Sequence, residues 1–252
     1  MNNSQLEKII SQELQTVQKE YSFIEKDIDI KPLEVAQYID HTLLKPTATV
    51  QDIKLLCRQA KENNFFSVCV NSAYVSLAKE ELRSCKVKVA TVIGFPLGVC
   101  DSSVKVYETQ SALDDGADEF DMVINVGMLK SLDYEYVYRE IKDIVEQADK
   151  KTVKVIIETC YLTREEKIAA CVLSKLAGAH FVKTSTGFGT GGATMEDVSL
   201  MKFVVGEDVK VKASGGIKDY DTAKKMIACG AQRLGASAGI KIIKGESSEE
   251  KY

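Results

Sequence analysis

Eight short apolar runs, recurring at roughly 30-residue intervals, constrain this chain more than any other feature. They fall at residues 37–44, 67–71, 87–94, 119–125, 152–159, 180–185, 209–214 and 233–237. Helix-like segments separate them, and several open on a capping signal. Thr163-Arg-Glu-Glu166 reads as a capping box, and Thr49 to Asp52 and Thr194 to Asp197 as its acidic equivalent. Strands alternating with helices imply a parallel sheet. Eight such units in 252 residues fit an α/β fold of the (β/α)8 TIM-barrel type better than an open doubly wound sheet. With no linker and no break in composition, residues 31–243 are expected to form one barrel. Ahead of it, Leu6, Ile9, Ile10, Val17, Tyr21 and Ile24 recur at mostly helical steps. Residues 1–30 therefore read as an extra N-terminal helical extension, helical over 3–24, packing on the barrel or on a partner subunit. Residues 244–252 read as a flexible polar tail.

Alternation within the strands decides which charges face inward. A barrel's outer face packs on helices and must be apolar. In "EFDMVIN" Phe120, Met122 and Ile124 go outward, leaving Glu119, Asp121 and Asn125 inside. In "TVKVIIET" Lys154 and Glu158 go inward, and in "VKVKAS" so do Lys210, Lys212 and Ser214. The facing of Lys183 is less determined, because both faces of 180–185 carry polar residues. Charges in such an interior either pair or do chemistry. Lys154 and Glu158 suit ion pairing. Lys183 and Lys212 lie toward the C-terminal ends of consecutive strands, where barrels keep their active sites. Two crowded lysines have a use. Bringing an amine from a pKa near 10.4 to about 7 takes about 4 to 5 kcal/mol. One ammonium at about 7 Å supplies about 2.4 kcal/mol at an effective dielectric near 20, and desolvation the remainder. The product is a neutral amine able to form a Schiff base, and the argument is symmetric between the two lysines.

Three glycine-rich turns close the last three strands: "STGFGTGG", "SGGI" and "LGASAG". Loops after strands seven and eight form the recurrent phosphate site of TIM barrels. Gly215, Gly216, Gly235 and Ser237 are thus expected to offer backbone N–H groups. Gly187, Gly189 and Gly192 also spell G-x-G-x-x-G, but the acids about 20 residues on, Glu207 and Asp208, precede the next strand instead of following it. A dinucleotide site is therefore rejected.

Bulk properties exclude other classes. A net charge of −4 with no Lys/Arg block argues against nucleic acid, and no signal peptide or membrane span stands out. Seven scattered cysteines without C-x-x-C suit a reduced cytoplasmic protein. Two histidines make a catalytic metal unexpected.

The motifs "DHTLLKP" (40–46), "VCVN" (68–71), "VIGFPLG" (92–98), "DMVINVG" (121–127), "KVIIET" (154–159), "VKTSTGF" (182–188), "VKASGGI" (211–217) and "RLGAS" (233–237) together resemble the deoxyribose-phosphate aldolases, class I aldolases on a TIM barrel. The resemblance runs from about residue 35 to the C-terminus. It implies that Lys183 forms the imine, that Lys212 depresses its pKa, and that Asp121 handles protons through a water. It implies reversible cleavage of 2-deoxy-D-ribose 5-phosphate to D-glyceraldehyde 3-phosphate and acetaldehyde, with no cofactor and no metal, by a cytoplasmic enzyme of deoxyribose phosphate catabolism. Asp40, Thr42, Cys69 and Thr186 are then expected to contact substrate, and Gly187 to join the phosphate loops. A homodimer or higher homo-oligomer fits the family. Some relatives carry a C-terminal tyrosine that enters the site and helps move protons; Tyr252 is a candidate counterpart here, with a functionless end the favoured reading. The family often has a serine pair after strand eight, whereas Ser237 is followed by Ala238. Competing readings are another sugar-phosphate barrel enzyme, such as a transaldolase or isomerase, and a non-catalytic phosphosugar-binding barrel.

Overall fold

Strand propensity and capping chemistry place the elements close to where the sequence pattern puts them. The computed structural model describes residues 1–246. Eight parallel strands pair in chain order and close on themselves: β1 (Ile39–Leu43), β2 (Ser67–Val70), β3 (Lys88–Ile93), β4 (Glu119–Val123), β5 (Thr152–Ile156), β6 (Phe181–Lys183), β7 (Lys210–Ser214) and β8 (Ala231–Ala236). The expected threonine caps are all present. Thr49 and Thr163 form reciprocal capping boxes with Asp52 and Glu166, and Thr194 accepts from Asp197 N.

The outward faces of the strands, including Phe120, Met122, Val153, Val155, Val182, Val211 and Ala213, merge with the helices into the main apolar core. A small second cluster lies apart: Leu44, Cys69, Ala90 and Val92, with Phe95 against it. Period-two alternation therefore leaves the charged residues of β1, β4, β5, β6, β7 and β8 inside the barrel. Lys183 is among them, at 3% exposure. Lys210 departs from the expected inward set. It is the first residue of β7, is exposed, and holds its ammonium 5.7 Å from the Phe181 ring centroid. Phe181 occupies the interior at that level, so the ammonium finds water below it.

The N-terminal helix spans Asn3–Glu20, opened by an Asn2–Gln5 capping box. Leu6, Ile10 and Val17 are buried, and the helix packs on the barrel helices Tyr134–Gln147, Arg164–Leu176 and Met195–Val205. It ends four residues earlier than its periodicity predicts, because tertiary contacts capture Tyr21 in an extended conformation. The Tyr21 ring meets Phe203 edge-on at 5.3 Å and carries the Arg164 guanidinium at 5.3 Å. Ile24, expected on the apolar face, is left exposed.

Candidate active site

Register brings the inward charges together in layers. Asp121 lies beside Lys154, Lys183 beside Lys212, and Lys212 beside Arg233 on adjacent strands. A register irregularity between Val211 and Lys212 sets this last pairing. Both Lys183 Nζ (2.8 Å) and Lys212 Nζ (2.7 Å) donate to the same Asp121 Oδ2. The two nitrogens therefore lie within two hydrogen-bond lengths of each other, closer than the ~7 Å taken in the charge argument.

Their surroundings then separate them. Lys212 is fully buried and ion-paired to both Asp121 and Asp40. Burial works against its charge, but the two carboxylates outweigh burial and raise its pKa. Among the described residues Lys183 has Asp121 alone as an ion-pair partner. Burial lowers its pKa first, Asp121 opposes, and the Lys212 charge adds to the lowering. Lys183 is also the one of the two with any surface exposed. The symmetry left by the sequence is thus broken physically: the surroundings favour the charged form of Lys212 and lower the pKa of Lys183.

Asp121 takes a third ion pair, from Lys154 Nζ at 2.7 Å. Burial alone would raise its pKa, but Lys154, Lys183 and Lys212 prevail and hold it well below the usual carboxylate range. Asp40 is depressed likewise, burial being overcome by Arg233, Lys212 and Lys154. Its Oδ1 accepts from Ser67 Oγ and Arg233 Nε, each at 2.7 Å. Asp40, expected to meet substrate hydroxyls, is turned to the side chains of Ser67, Arg233 and Lys212. Lys154 pairs with Glu119 and Asp121, not with Glu158.

Glu158 instead holds the loop after β6. It accepts from Thr186 N at 3.2 Å and from the Thr186 hydroxyl, which in turn accepts from Phe188 N at 3.0 Å. Glu158 adopts a left-handed backbone, φ 54°, a strain that persists only where surroundings enforce it. The expected substrate-binding hydroxyl of Thr186 is therefore a loop clamp. Cys69 is buried in the small cluster with its thiol pushed up by burial, as packing requires.

The glycine turns divide in role. Gly215 (φ 83°) and Gly216 (φ 80°) sit in the left-handed region. Gly216 is exposed, with open space where a Cβ would lie. Gly187 shares the left-handed geometry at φ 88°. Gly235 serves otherwise: a Cβ there would fall 3.2 Å from Lys212 Cε, so its absence makes room for that side chain. Ser237 and Thr42 line one cavity of about 650 Å³ beside Lys45 and Lys241. Tyr252 lies outside the described residues.

Sequence reasoning missed Arg233, Ser67 and Ser185. Arg233 joins Asp40 to Glu119 and lies 3.6 Å from the Phe66 ring centroid. Ser185 Oγ is buried without a hydrogen-bond partner among the described residues. Starting β8 at 233 hid the alternation that turns Arg233 inward; the strand begins at Ala231.

Comparison with known proteins decides the family, because the profile of DeoC/LacD family aldolases matches residues 34–246. The chain belongs to the DeoC/LacD aldolase family. Deoxyribose-phosphate aldolase from Thermotoga maritima is 61% identical over 219 residues, covering 87% of this chain and 88% of the relative. That from Thermococcus kodakarensis is 59% identical over 220 residues, covering 86% and 98%. A candidate deoxyribose-phosphate aldolase of Coccidioides immitis superposes with a TM-score of 0.91 at 42% identity, covering 97% of each chain. The tetrameric deoxyribose phosphate aldolase of Aeropyrum pernix does so at 0.80 and 35%, covering 85% and 91%. As an aldolase of this family, the chain has its inward lysines in the part that the profile spans.

Proposed function

We propose that the protein cleaves 2-deoxy-D-ribose 5-phosphate reversibly to D-glyceraldehyde 3-phosphate and acetaldehyde, with Lys183 as the Schiff-base amine. The observation that carries this reading is the unequal treatment of two adjacent lysines. One is doubly paired and locked as a cation; the other is buried against that cation and deprotonates more readily. The close relatives supply the substrate.

The neutral Lys183 amine adds to the C1 aldehyde of the open-chain sugar, and loss of water gives the iminium. Removal of the C3 hydroxyl proton breaks the C2–C3 bond and releases D-glyceraldehyde 3-phosphate, the electron pair entering the iminium to form an enamine. Protonation at C2 and hydrolysis release acetaldehyde and restore the amine. Asp121, an ionised carboxylate on Lys183 Nζ, is the group through which these protons pass, by way of a water. Lys212 stays charged throughout and keeps Lys183 neutral. The N–H groups of Gly187, Gly215 and Gly216 bind the 5-phosphate, and Ser185 Oγ is free to meet a sugar oxygen. No helix among the described residues is long and apolar enough to cross a membrane, and the described cysteines are all unpaired. Both suit a reducing cytoplasm. A homo-oligomer, as in the Aeropyrum relative, completes the reading.

The test is cleavage of 2-deoxy-D-ribose 5-phosphate, followed by borohydride reduction in the presence of acetaldehyde and peptide mapping. A two-carbon adduct on Lys183 is expected. Cleavage without an adduct on Lys183 would reject the Schiff-base mechanism, and conversion of the sugar phosphate without cleavage would point to an isomerase-type reaction.

A further inference from the structure

Six of the buried charges form a closed ring. Arg233 pairs with Asp40, Asp40 with Lys212, Lys212 with Asp121, Asp121 with Lys154, Lys154 with Glu119, and Glu119 returns to Arg233. Each cation touches two carboxylates and each carboxylate two cations, so the ring is balanced, three charges against three. Lys183 stands outside the alternation, sharing Asp121 Oδ2 with Lys212. Protonated, it adds one uncompensated charge to a buried cluster; neutral, it leaves the cluster balanced.

We propose that Arg233 and Glu119 are positioning residues that set the protonation of Lys183 from the floor of the barrel without touching it. The proposal rests on the Schiff-base reading of Lys183. Arg233 holds Asp40 through Nε at 2.7 Å and Glu119 through Nη2 at 2.9 Å and Nη1 at 3.2 Å. It thereby fixes the carboxylate that keeps Lys212 charged. Glu119 takes Lys154 at 2.5 Å and so limits how far Lys154 can compete for Asp121. The groups facing Lys183 are Asp40 from β1, Cys69 from β2, Glu119 and Asp121 from β4, Lys154 from β5, Lys212 from β7 and Arg233 from β8. From β3 come only Ala90 and Val92. Glu158, just past β5, is turned to Thr186. Counted in ion pairs from Lys183, Asp121 is one removed, Lys154 and Lys212 two, Glu119 and Asp40 three, and Arg233 four, so the charge of the outer members reaches it through a closely packed, buried cluster.

The consequence is a difference in sign. Glu119→Gln removes a negative charge, leaves a surplus of cations, and eases the proton off Lys183. Arg233→Met removes a positive charge and lets Lys183 keep its proton to higher pH. A residue that only braced the fold would lower activity without moving the pH midpoint. The experiment measures how much acetaldehyde adduct borohydride traps on Lys183 as a function of pH. It uses wild type, Glu119→Gln, Arg233→Met and the double variant. The expected midpoint shifts are on the order of one pH unit, acid for Glu119→Gln and alkaline for Arg233→Met, with the double variant back near wild type. Shifts of the same sign, or none, with the wild-type adduct present, overturn the ring while leaving the Schiff base standing. Absence of the wild-type adduct overturns both. Should Arg233→Met fail to fold, Glu119→Gln decides alone, since glutamine keeps the shape and removes only the charge.

Discussion

Lys183 and Lys212 are chemically identical residues on neighbouring strands, and what distinguishes them is the number of carboxylates each meets. Among the described residues Lys212 has Asp40 and Asp121, and Lys183 has Asp121 only. The inward facing of Asp121 and Lys212 was legible in the sequence, because alternation on β4 and β7 leaves one answer; that of Lys183 was not, since both faces of 180–185 carry polar residues. Which lysine would lose its proton was not legible either. That depends on Asp40 of β1 reaching Lys212, a contact between residues 172 positions apart in the chain. Lys212→Leu takes away the fixed cation and leaves Lys183 facing Asp121 with one fewer competitor. The Lys183 pKa rises, so the neutral fraction at pH 7 falls. We expect kcat/KM at neutral pH to drop by about two orders of magnitude and to recover partly as pH increases, read from a pH–rate profile. A loss uniform across pH would mean that Lys212 acts by some other route.

At the scale of elements, capping boxes and strand alternation carried the reading, and side chains crossing between elements escaped it. Lys105, on the helix Ser102–Asp114, shows this best. It is fully buried. Nζ donates to Gly98 O at 2.7 Å, to Val123 O at 2.8 Å and to Glu140 at 2.5 Å. It thus ties the loop after β3 to the end of β4 and to the helix Tyr134–Gln147. Glu108 fastens the same loop by accepting from Gly94 N at 2.8 Å. Phe95 of that loop then meets Phe188 of the loop after β6 edge-on at 5.4 Å. No local pattern announces such a strut, since its partners lie on other elements. Lys105→Met leaves Glu140 buried without its cation. We expect a loss of about 3 to 5 kcal/mol of stability in chemical denaturation. A loss below about 1 kcal/mol would show that water reaches Glu140 and that the pair is not a strut.

For the molecule as a whole, the barrel solves one problem with another. A closed parallel sheet must fill its own interior, and apolar packing would leave no chemistry there. This chain fills part of it with paired charge, at the desolvation cost such pairs carry, and leaves one amine in excess. The fold was legible from the spacing of eight strands. The closure of the charge ring was not, because it joins the first strand to the last through Arg233, and only a closed barrel makes those neighbours. The claim at the centre is that this excess falls on Lys183 alone. It is tested most directly by a titration of the side-chain amines of Lys183 and Lys212 in the intact, ligand-free protein, followed by isotope-edited NMR with Lys183→Met and Lys212→Met for assignment. The account predicts that Lys183 titrates below the ordinary lysine value of 10.5 and that Lys212 stays protonated beyond it. Lys212 losing its proton first, or both titrating together near 10.5, would contradict it.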